Sequence, residues 1–144
     1  MRTRLLLPVI LLVATAGASA SAPATSPRLS GPSTMSVLQQ VTFKATGLRD
    51  GRYALFIVKS VRRNGRAYRC VAYLSAVRPV SADTERFYGS VPDGVVCRRG
   101  TGAAVDFTRS IPLGRYRLHV CQPTPAAYCS SRASQVARTV TIRR

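Results

Sequence analysis

From Val41 onward the apolar residues of this chain recur at every second position, and no segment shows a helical period. Val41, Phe43 and Ala45 alternate with Thr42, Lys44 and Thr46, the pattern of a strand with one buried and one wet face. Gly47-Leu48-Arg49-Asp50-Gly51 reads as a turn. The run from Tyr53 to Val61 is then apolar on both faces through Ala54, Leu55, Phe56, Ile57 and Val58, which predicts a central strand. Arg62-Arg63-Asn64-Gly65-Arg66 follows, and Asn-Gly between two strand-like runs is a hairpin signal, because both residues accept the positive φ of a type I′ turn. The return strand is Ala67 to Leu74.

The rest of the chain keeps this grammar. Ser75 to Thr84 reads as a long connection. Arg86 to Val91 is a short strand ended by Pro92-Asp93-Gly94, and Val95 to Cys97 pairs briefly. Arg98 to Gly102 is loop, and Ala103 to Ile111 is expected to cross the domain. Pro112-Leu113-Gly114 turns the chain into Tyr116 to Cys121, where Tyr116, Leu118 and Val120 are expected to face inward and Arg117 and His119 to face water. A last strand, about Gln135 to Ile142, closes the domain. Short strands without helices predict an all-β, antiparallel sandwich of about seven or eight strands.

The first twenty residues stand apart. Arg2 and Arg4, the apolar run Leu5 to Ala16 and the small-x-small Ala18-Ser19-Ala20 make a secretory leader, so residues 1–20 are expected to be a signal peptide and the mature protein to be secreted. That run is shorter than the roughly 20 residues a spanning helix needs, and no later stretch is long and apolar enough, so a membrane-spanning protein is not expected. Residues 21–36, rich in Ser, Pro, Ala and Thr, read as a flexible arm with room for a first strand, and residues 37–144 as one sandwich domain.

Export decides how the four cysteines are read. Cys70, Cys97, Cys121 and Cys129 form an even set behind a leader, which argues for two disulfides rather than thiols or ligands. Of the three pairings, Cys70 with Cys97 and Cys121 with Cys129 is favoured, since Cys121-Gln-Pro-Thr-Pro-Ala-Ala-Tyr-Cys129 is a short excursion that a local bridge closes. In the chain-entropy view the two loops contribute roughly 3.5 and 2.5 kcal/mol. Structural zinc wants close cysteine pairs, which this chain lacks, so no metal or other cofactor is expected.

Gly114-Arg115-Tyr116-Arg117-Leu118 resembles the tyrosine corner of immunoglobulin-like domains, in which a Tyr early in a late strand hydrogen-bonds back to nearby backbone. With Val41-Thr42-Phe43-Lys44-Ala45-Thr46-Gly47-Leu48, Asp50-Gly51-Arg52-Tyr53 and Ala137-Arg138-Thr139-Val140-Thr141-Ile142, the chain is similar to the secreted immunoglobulin-like domains of actinobacteria over most of its mature length. The resemblance implies the sandwich and leaves function open, because these are turn and core positions. More distantly, the length and two local disulfides resemble the neocarzinostatin group, whose sandwich holds a chromophore in a cleft. The strong positive charge and the wider first cysteine loop depart from that group.

No catalytic constellation is expected. His119 is the only histidine and reads as a surface residue, although His119-Val120-Cys121 is the spacing of an imidazole-activated thiol. Asp50 and Asp93 each precede Gly in turns, and Asp83 and Glu85 are expected to pair with arginines rather than to hold calcium.

What remains is charge. The chain carries 22 Lys+Arg against 5 Asp+Glu, a formal +17, and loss of Arg2 and Arg4 with the leader leaves +15. Such a domain is drawn to anionic surfaces. Arg62, Arg63 and Arg66 at the hairpin tip, with Arg69 behind and Arg98 and Arg99 brought near by a Cys70–Cys97 bond, form the candidate binding patch. The expected function is non-enzymatic binding of an anionic cell-envelope polymer or lipid surface, with no specific nucleic acid. The alternatives are an extracellular protein inhibitor with a protein partner, a small-ligand-binding sandwich, and a structural spacer.

Overall fold

The computed structural model describes residues 26–81, 84–99, 104–123 and 134–144. The expected leader, Asp83 and Cys129 lie outside the described residues. Among those described there are eleven strands and no helix. They are β1 (Arg28–Ser30), β2 (Thr34–Ser36), β3 (Gln40–Thr46), β4 (Gly51–Arg63), β5 (Arg66–Tyr73), β6 (Arg78–Val80), β7 (Thr84–Ser90), β8 (Gly94–Arg98), β9 (Phe107–Ser110), β10 (Gly114–Cys121) and β11 (Ser134–Arg143).

The strands form two sheets. The smaller has the order β1-β3-β7, and the larger β2-β11-β10-β4-β5-β8-β9 with β6 against the start of β4. Every pairing is antiparallel except that of β2 with β11. Although β1 and β2 are close in sequence, they belong to different sheets: Leu29 lies opposite Ala45 on β3 and Met35 opposite Ile142 on β11.

Period-two alternation explains the core. Val41, Phe43 and Ala45 of β3 and Phe87 of β7 meet Leu55 and Ile57 of β4, Leu118 and Val120 of β10 and Val140 and Ile142 of β11 in one buried cluster shared by both sheets. Each large apolar side chain so buried contributes about 1.5–3 kcal/mol against exposure. As its sequence predicts, β4 is central, with β10 along one edge and β5 along the other. Its second apolar face buries Phe56, which clusters with Val71 and Cys121.

The hairpin forms where Asn64-Gly65 stands. Both residues have positive φ, 50° and 73°, between the paired Arg63 and Arg66, as a type I′ turn requires. Cys70 of β5 lies directly opposite Cys97 of β8, and the two are disulfide-bonded with Cα atoms 4.0 Å apart. The expected Cys121–Cys129 bond involves a residue outside those described.

Two expectations about the connections are corrected. The Ser75 to Thr84 connection holds β6, whose three residues pair with Gly51 to Tyr53 but are too few to alternate visibly. The described part of the Ala103 to Ile111 segment, residues 104–111, does not cross the domain; its strand, β9, folds back on β8. The cause is Asp106, whose Oδ2 accepts the Arg99 backbone N–H at 2.6 Å while its own N–H donates to the Cys97 carbonyl. The strands also outnumber the seven or eight expected, because four of them have only three or four residues.

Candidate functional site

The four described carboxylates, Asp50, Glu85, Asp93 and Asp106, lie outside the strands of the large sheet, whereas arginines stud it. Which arginines act together follows from strand parity, since successive side chains point to opposite faces. In β5 the core-facing set contains Tyr68, Cys70 and Ala72, so Arg69 points away from the core. Arg98 of β8 lies opposite Arg69, and Ser60 of β4 opposite Arg69 on the other side. Arg62, two residues from Ser60, shares this outward face.

The same face continues onto β10. Arg117 pairs in register with Val58 of β4 and Thr139 of β11, and Arg115 lies two residues earlier on the same side. The outward face therefore carries Arg62, Arg69, Arg98, Arg115 and Arg117, with Arg52 and Arg143 at the strand ends. Arg62, Arg115 and Arg117 are exposed and Arg69 and Arg98 half-buried.

The other three arginines of the expected patch point toward the core side, beyond its edge. Arg63 stacks over the Phe107 ring with its guanidinium carbon 4.6 Å from the centroid, and Phe107 in turn meets Tyr68 edge-on at 4.8 Å. Arg66 is exposed opposite Arg63. Arg99 forms an ion pair with Asp106, Nε to Oδ1 at 3.2 Å. The structure thus divides the six, Arg62, Arg69 and Arg98 on one face and Arg63, Arg66 and Arg99 on the other. Glu85, as expected of an acid among arginines, is paired with Arg78 at 2.9 Å.

Arg115 and Arg117 were not in the sequence-derived patch. Between them, β4 and β11 lies a cleft of about 450 Å³ whose walls include Val58, Ser60, Arg115, Arg117 and Thr139. Its frame is tied down from the core side. Lys59 Nζ donates to the Arg115 carbonyl at 3.1 Å and lies 5.1 Å from the centre of the Tyr116 ring. Tyr116 Oη donates to the Pro112 carbonyl at 2.6 Å, and Arg117 Nη1 donates to Thr139 Oγ1 at 3.3 Å. Burial pushes the Tyr116 hydroxyl up to about 12, partly offset by the positive charge of Arg109.

His119 is not the surface residue its alternation predicts. It is only 6% exposed, with its ring stacked on Phe56 at 5.1 Å between centroids and 17° between planes. The reason is that the outward face of β4 is itself apolar at this level, so a flat ring covers it. Burial, then the charges of Arg117 and Arg69, lower its pKa to about 4, and its buried Nδ1 has no hydrogen-bond partner. The imidazole is therefore neutral at physiological pH.

Comparison of the chain with protein-family models, curated proteins and solved structures returned no match.

Proposed function

We propose that this chain is an exported immunoglobulin-like sandwich that binds an anionic envelope polymer or lipid surface and carries out no chemistry of its own. The observation behind the binding function is the outward face of the large sheet, where arginines gather and to which, among the described residues, no strand contributes a carboxylate. Guanidinium groups present paired donors to phosphate and carboxylate oxygens, so a cluster of them is suited to repeated anionic groups.

The immunoglobulin-like reading draws on connectivity. The first two strands are divided between the sheets, β3 pairs with β7, β2 runs parallel to the last strand, and Tyr116 hydrogen-bonds back to Pro112. Cys121 with Cys129 is the second staple of this reading. Export is supported by the leader-like residues 1–20 and by the Cys70–Cys97 disulfide, which suits an oxidising compartment.

A small-ligand sandwich is the second reading. One observation favours it, an apolar hollow of about 250 Å³ lined by Tyr73, Ser75, Ala76, Val77 and Pro123.

The mature protein should be retained on heparin and on phosphatidylglycerol vesicles at 50 mM salt, released by 300 mM salt, and not retained on neutral phosphatidylcholine vesicles. Retention that ignores salt, or that is equal on neutral vesicles, refutes the anionic-surface reading.

A further inference from the structure

The outward face is not uniformly basic, and its pattern narrows what it can bind. Across the strands runs one row, Arg98 of β8, Arg69 of β5, Ser60 of β4 and Arg115 of β10; two residues farther from the hairpin tip lie Val96, Val71, Val58, Arg117 and Thr139, and beyond them Tyr73, Phe56, His119 and Ala137. Charge thus gathers in that row and beside it, with Arg62 two residues nearer the tip on β4 and Arg117 two residues beyond on β10, whereas the row of Phe56 carries no arginine. From β10 through β4 and β5 to β8 the first row spans three strand spacings, about 14 Å. A row with an arginine on three of its four strands matches a chain laid across them.

We infer that the cleft between β4 and β10 seats one phosphate of a linear phosphate polymer, which then crosses β4, β5 and β8 along this row. The inference rests on the anionic-surface reading and gives it a site, a direction and a ligand class. In the cleft, Arg115 and Arg117 stand on one side of β10, and Ser60 and Thr139 add hydroxyl donors around an apolar wall, Val58. Two guanidinium forks with two hydroxyls form a many-donor set suited to tetrahedral phosphate oxygens. Beyond the cleft the chain meets Arg69 and Arg98, which also interact within the protein.

Inorganic polyphosphate is the probe, with poly-glutamate as the carboxylate control. Arg115→Ser/Arg117→Ser and Arg63→Ser/Arg66→Ser each remove two charges, on opposite faces of the same sheet. The first should weaken polyphosphate binding at least tenfold and lower the slope of log K against log salt by roughly 1.4, two contacts at about 0.7 each. The second should weaken it less than threefold. Ser60→Trp, which narrows the cleft at unchanged charge, should also cost at least tenfold, with the far-ultraviolet spectrum confirming that each variant folds. Equal losses from the two double variants, or full binding by Ser60→Trp, overturn the inference and leave the broader reading standing. Equal affinity for poly-glutamate overturns the phosphate assignment. Failure of the unaltered protein to bind polyphosphate, heparin and phosphatidylglycerol alike at 50 mM salt overturns both.

Discussion

His119 shows how a single residue on a strand can contradict its own pattern. Alternation assigns it to the wet face, and it does point away from the main core, but the Phe56 ring beneath makes that face apolar and covers one side of the imidazole. Desolvation and the charges of Arg117 and Arg69 then hold it neutral down to about pH 4, whereas in the unfolded chain it takes up a proton near 6.5. The unfolded state binds more protons between those values, so this contribution to stability is complete above about pH 6.5 and is lost as pH falls toward 4. Urea unfolding at pH 7 and pH 4.5 should show the native protein losing on the order of 2 kcal/mol more than His119→Phe, which keeps a flat ring on Phe56. An equal loss in both proteins would assign the acid sensitivity to carboxylates instead.

At the scale of elements, the clearest sequence signals were local. The Asn64-Gly65 turn and the β3 alternation are properties of a few adjacent residues, and both stand where the sequence places them. The join between the sheets is different. Leu74 and Ser75 both donate their N–H groups to the Leu55 carbonyl, Ser75 Oγ accepts from Leu55 N–H, and the Leu74 carbonyl accepts from Ser90 at the end of β7. Gly89 sits against that carbonyl so closely that an added Cβ would be 1.5 Å from its oxygen. Gly89→Ala should therefore force backbone movement and cost on the order of 3 kcal/mol. Gly65→Ala, with φ +73° but nothing within 4 Å of the new Cβ, should cost only about 1 kcal/mol. Chemical denaturation of the two variants tests this ranking, and the reverse order would mean that β7 can slide past Leu74. No pattern in the sequence marks Gly89, because its neighbour is 15 positions away in the chain.

For the whole molecule, the dominant quantity is the charge of +17, which the ion pairs Arg78–Glu85 and Arg99–Asp106 offset only locally. Neighbouring like charges such as Arg69 opposite Arg98 oppose folding. Screening should relieve this repulsion, so the melting temperature at pH 7 should rise by a few degrees between 20 and 300 mM sodium chloride. A fall would mean that the two ion pairs outweigh the repulsion. The same accumulation of charge underlies the candidate site, and here adjacency in the chain is misleading. Arg62, Arg63 and Arg66 are adjacent in sequence and look like one cluster, yet the pleat sends Arg62 to one face and its neighbours to the other.

By itself, the sequence determined the all-β character, the position of the hairpin and the central place of β4, because each depends on residues close in the chain, and it favoured the Cys70–Cys97 bond that the pairing of β5 with β8 forms. Only the tertiary structure decided which arginines share a face. Arg115 and Arg117 reach Ser60 and Val58 through the pairing of β10 with β4, strands more than fifty residues apart, and nothing local encodes that register. The physical reason is that alternation tells which side of its own strand a residue occupies, while hydrogen-bonded pairing between distant strands tells which other side chains it finds there.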